Sequence, residues 1–190
     1  MPQTRPPREA PNILLGVMRL AWGRADGFAS FGNTTQAFLA SLAPLVAFPL
    51  VGGGLLLAAG EGLPALTDML ATFCVVLAPP VVSYWLARHW NCEQRWLRFA
   101  TAFNWCQWVI PAAAALLLLL LAGLMSLGLP NAVAGAAALL GMIGYGLWLH
   151  WFLARAGLGL PAGKAVLFAL AVNLATVAVF VGPRLLMPMS

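Results

Sequence analysis

Of 190 residues, 62% are hydrophobic and only 8% are charged, with a mean hydropathy of +0.90. Soluble globular domains carry about a quarter charged residues, so this composition excludes them and predicts a polytopic membrane protein. The net charge of +5 would suit nucleic acid in a soluble chain. Here the basic residues flank apolar segments instead, which makes anionic lipid headgroups the expected partner and excludes nucleic acid.

The chain opens with Pro2, Pro6, Pro7 and Pro11, which deny the backbone a helix and predict an exposed tail. No short apolar region with a small-residue cleavage site follows, so no cleaved signal peptide is expected. Asn12 suits an N-cap for a helix over about 13–30. Within it Gly16, Arg19, Gly23, Asp26, Gly27 and Ser30 recur at spacings of three and four, opposite Ile13, Leu14, Val17, Met18, Ala21, Ala25 and Phe28. That pattern predicts an amphipathic helix in the headgroup plane, or one lying on a partner protein, ordered only when docked because its glycines weaken it. Residues 1–34 thus read as a tail and an interfacial helix, and 35–190 as a transmembrane domain.

The spacing of apolar segments predicts an all-α transmembrane bundle of five spans, at about 36–59, 65–87, 100–127, 131–153 and 162–181. Pro44 and Pro49 kink the first, and Pro79-Pro80 bend the second. Gly60-Glu61-Gly62-Leu63 and Gly128-Leu129-Pro130 are turns. The third contains a plain Ala/Leu run over 112–121, which reads as lipid-facing. In the fourth, Ala134, Ala138, Gly141, Gly144 and Gly146 let another helix approach closely. A glycine-rich loop over 155–164 leads to the fifth, which carries Asn173 and Thr176 near its middle.

The stretch 84–108 holds three of the ten basic residues, Arg88, Arg95 and Arg98, and five of the eight tryptophans, Trp85, Trp90, Trp96, Trp105 and Trp108. Positive charge flanked by tryptophan marks a cytoplasmic membrane interface. An N-terminus inside places Arg5, Arg8, Arg19, Arg24, Arg88, Arg95, Arg98, Arg155 and Lys164 inside and only Arg184 outside. All the tryptophans, including Trp22, Trp148 and Trp151, fall on the same side. The expected location is the cytoplasmic membrane of a bacterium, N-terminus in the cytoplasm and C-terminus in the periplasm.

No ionisable residue is expected at mid-depth, which argues against an ion-coupled pump. His89 and His150 fall at the cytoplasmic ends of their spans. Two imidazoles at one depth could ligate a haem or a chlorophyll-type pigment, although interfacial polar tips without a ligand are the ordinary reading, and no cofactor or metal is expected. Asn104, Gln107 and Asn173 are amides that join helices by hydrogen bonds or cradle a small ligand. Cys74, Cys92 and Cys106 form no CxxC pair and read as reduced, small apolar side chains. No GxSxG, HExxH, phosphate-loop or dinucleotide fingerprint is present, so no catalytic residue and no enzyme is expected.

Five spans after a cytoplasmic segment, with Phe99, Ala100 to Ala102, Phe103, Asn104 and Trp105 opening the third, resemble bacterial members of the Yip1 family over about 36–184. The resemblance implies a non-enzymatic role in membrane organisation or trafficking. The residues themselves predict an accessory or scaffold subunit that contacts other membrane protein subunits through the small face of the fourth span, the tryptophan surface and the amphipathic helix. A small carrier or channel with a polar site near Asn104, Gln107 and Asn173 is the alternative.

Overall fold

The computed structural model describes residues 12–186, with side chains through residue 182; the proline-rich tail expected over 1–11 lies outside the described residues. Asn12 caps α1 (Ile13–Ala21) as expected, its Oδ1 accepting the amide of Leu15 at 3.0 Å. The helix does not continue to residue 30. Gly23, at φ +74°, turns the chain back, and a short 3-10 helix (Ala25–Ser30) packs against α1. The glycines read as helix-weakening are the contact between these two pieces: a Cβ on Gly27 would lie 2.7 Å from the carbonyl oxygen of Gly16. Leu20, Phe28 and Phe31 point into the bundle, whereas Leu14, Met18 and Trp22 stay exposed.

Five segments are long and apolar enough to cross a membrane: Thr35–Ala58, Gly62–His89, Glu93–Ser126, Asn131–Leu158 and Ala162–Gly182. The chain is an all-α integral membrane protein, with five candidate spans behind a short helix. Thr34 caps α2 (Thr35–Ala58) by accepting the amide of Ala37. Prolines inside α2 and α3 (Gly62–His89) leave both helices unbroken. The third span is two helices, α4 (Trp96–Cys106) and α5 (Val109–Ser126), separated at Gln107 and Trp108. The next, α6 (Asn131–Leu158), runs on past the expected end at residue 153 to a left-handed cap at Gly159, φ +73°. The loop to α7 (Ala162–Leu186) therefore shrinks to residues 159–161.

Neighbouring helices form an arc in the order α2, α3, α7, α6, α5. Its two ends are joined by α4, which packs on α2 and α6, and not by a packed α2–α5 interface. Burial is correspondingly uneven. The core gathers at the arginine-and-tryptophan end, around Phe99, Phe103, Leu149, Leu153 and Phe168, with Phe168 edge-on to Phe99 at 5.4 Å. Toward the opposite end only isolated residues such as Gly53, Ala65, Leu121 and Ala134 are buried.

Candidate functional site

Where the arc meets α4, a cavity of about 310 Å³ opens inside the bundle, at the lower limit of small-ligand pockets. Asn104 and Gln107 of the α4–α5 break, His150 of α6 and Asn173 and Thr176 of α7 face it, together with Leu45, Val75, Val76, Pro79, Ile110 and Val172. The three amides predicted from sequence therefore share one site, and His150 joins them. His89 does not. It is exposed at the end of α3, with its ring stacked on Trp85 at 5.6 Å.

His150, expected near the end of its span, lies further inside its helix. Because α6 continues to Leu158, this residue lies roughly 12 Å inside the helix end at 1.5 Å per residue, and it is only 8% exposed. Its surroundings assign its protons. Asn173 Nδ2 donates to the carbonyl of Ala169 at 2.7 Å, which identifies that atom as the nitrogen, and reaches His150 Nδ1 at 2.9 Å. Nδ1 is thus the acceptor, and the neutral ring carries its hydrogen on Nε2. That Nε2 is buried with no acceptor among the described residues. A buried N–H without a partner costs about 1–3 kcal/mol.

The same assignment bears on the cofactor alternative. A ligating imidazole offers a lone pair from one nitrogen while giving its other N–H to a neighbour. Here the neighbour of Nδ1 is an amide nitrogen, and His89 is not among the residues that line the cavity with His150, so the two imidazoles are not gathered at that site.

Asn104 is 2% exposed and donates to Ser41 Oγ at 3.1 Å, and that hydroxyl donates in turn to the Phe38 carbonyl at 2.7 Å. The chain pins α4 to α2 at the cavity floor. Acceptors come from an unexpected source. A proline has no N–H for the carbonyl four residues earlier. Pro49, Pro79, Pro80 and Pro111 thereby release the carbonyls of Leu45, Val75, Val76 and Gln107, and all four of these residues line the cavity. Four residues back from Pro49, Pro79, Pro80 and Pro111 lie parts of the wall, whereas the same count from Pro44 reaches Ala40, which is not in it.

The residues predicted for the lipid interface divide. Arg19 and Arg24 share the carboxylate of Asp26, at 3.4 and 3.1 Å. Arg88, Arg95 and Arg98 are exposed. Trp148 stacks on Phe152 and lies beside Gly23, and Trp105 lines one concavity with Ile13, Leu14 and Val17, so both rings sit where the N-terminal segment meets the bundle. Trp151 donates to the Ala162 carbonyl at 3.3 Å beneath the Arg155 guanidinium. Trp108 meets Phe48 edge-on. Gly141 faces Leu117 of α5, whereas Gly144 and Gly146 face open space.

No family model, no curated protein and no solved structure matches this chain.

Proposed function

We propose that this integral membrane protein binds a small, uncharged polar molecule, or the polar part of a lipid-soluble one, in the cavity between α4 and α7, as a carrier or storage protein would. The carrying observation is that one cavity gathers the polar side chains of Asn104, Gln107, His150, Asn173 and Thr176 from α4, the α4–α5 break, α6 and α7. Donors and acceptors together, with no acidic or cationic side chain among the lining residues, favour a neutral ligand that offers both. Discontinuous helices around a polar site are a recurrent design in carriers. We read the protein as a non-enzymatic one of a bacterial inner membrane, and its arginine-rich end as cytoplasmic because Arg19, Arg24, Arg88, Arg95, Arg98, Arg155 and Lys164 fall there. The test is the organic extract of purified protein. Wild type should carry a compound that Asn173→Leu and His150→Phe lose, and an extract unchanged by both substitutions rejects the reading.

A second reading, an accessory or scaffold subunit, is favoured by the uncovered glycines of α6, where no atom lies within 4 Å of a Cβ built at Gly135, Gly144 or Gly146. A Yip1-like role in membrane organisation would be compatible with either reading. Gentle extraction and sizing tests it: a larger assembly supports a subunit role, and a lone 20.1 kDa chain argues against it.

A further inference from the structure

A second concavity, of about 270 Å³, opens at the arginine-and-tryptophan end between the 3-10 helix, the start of α4 and the end of α6. Its polar lining is Asn33, Gln94, Arg95 and Arg98, and its apolar floor is Phe28 and Gly157. The floor exists because Gly157 lacks a side chain: a Cβ there would come within 2.8 Å of both Phe28 and Phe99. Asn33 is already engaged, its Oδ1 accepting the backbone N–H of Arg98 at 3.0 Å, which fixes the start of α4 beside the pocket.

The two guanidiniums are not neutralised. Among the described residues the ion pairs are those of Arg19 and Arg24 with Asp26, and neither Arg95 nor Arg98 has a carboxylate within reach. Arg95 lies against Gly159, the left-handed cap of α6, where any side chain would collide with its head group. Lys164, over the Trp90 ring at 5.8 Å, adds further positive charge near Arg95 and Cys92, against which stands the single carboxylate of Glu93. The pocket thus presents two guanidiniums and a free amide above an aromatic floor. Guanidiniums bind phosphate oxygens bidentately, and the apolar floor suits the glycerol and first methylenes of a lipid better than a hydrated ion.

We propose that this pocket is a specific site for the phosphate group of an anionic phospholipid. The proposal is independent of the central cavity and of what that cavity binds.

The full-length chain reconstituted in discs of phosphatidylcholine provides the test, with thermal midpoint and native mass spectrometry as readouts. Adding phosphatidylglycerol should raise the midpoint and leave about one such lipid bound per chain. Arg95→Ala/Arg98→Ala should weaken that binding by roughly tenfold or more, since each basic residue near an anionic surface is worth about fivefold. Arg155→Ala, outside the pocket, should bind as wild type does. Should the double variant not fold, Arg98→Gln alone is read in the same way, with a loss of about fivefold expected. Equal binding by wild type and pocket variants, or an equal loss in Arg155→Ala, overturns the site. Inorganic phosphate protecting as well as the lipid at equal concentration overturns the lipid as its source.

Discussion

Asn173 holds His150 from one side only: a single amide nitrogen spans the Ala169 carbonyl and the imidazole Nδ1, leaving the opposite ring nitrogen protonated and free. This bridge ties α7 to α6 and fixes the imidazole ring beside the cavity. Asn173→Leu should lower stability by about 1 kcal/mol, the usual worth of a hydrogen bond between membrane helices. A double-mutant cycle with His150→Leu, read by unfolding in mixed micelles, should return most of that energy as coupling, and strict additivity would show that the contact contributes nothing.

The junction of α1 with the 3-10 helix allows no side chain at Gly27. The obstacle is the Gly16 carbonyl, a backbone atom that cannot swing aside. Gly27→Ala should therefore cost about 1–3 kcal/mol and loosen the N-terminal segment. Limited proteolysis between α1 and α2 measures this, and a cleavage rate equal to wild type contradicts it.

Gly144→Ala provides the contrast. It meets open space and improves helix propensity by up to about 1 kcal/mol, so the isolated chain should be as stable as wild type or more so. Under the subunit reading the bulkier Gly144→Leu should release the partner while leaving the chain folded, which co-purification from membranes would reveal.

Cys92 reports both orientation and titration. It lies in the turn between α3 and α4, whereas Cys106 is buried and Cys74 is exposed on the apolar surface of α3. A membrane-impermeant maleimide should reach Cys92 from the arginine-rich side alone, and in spheroplasts with an inward-facing arginine end it should not label until the cells are opened. Burial raises the Cys92 thiol, an effect partly offset by Arg95 and Lys164. Because the thiolate is the reactive form, labelling at neutral pH should be slower than for a free cysteine and should keep rising with pH beyond the ordinary thiol range. A rate already constant at pH 8 would contradict the raised value.

The spans were legible because apolar length and turn residues act locally. Asn12 caps its helix and Gly128 turns the chain where the local residues placed them. What escaped depends on contacts distant in sequence. Nothing around Ser41 signals that it accepts from Asn104, and Gln107 was read as an amide within one continuous span where the helix in fact breaks. The place of His150 within its helix was misjudged because Arg155 was taken as the start of a loop, while the helix passes that residue before capping at Gly159. Asn104, Gln107 and Asn173 were identified as polar exceptions, but their convergence with His150 needed the arc of helices.

The crowding of buried side chains toward one end has a mechanical consequence. That end behaves as a rigid root, while the opposite halves of the spans, held by few interior contacts, are compliant and can spread or close at small cost. A change in bilayer thickness should then shift the far halves of the spans more than the spacing of Asn104, His150 and Asn173.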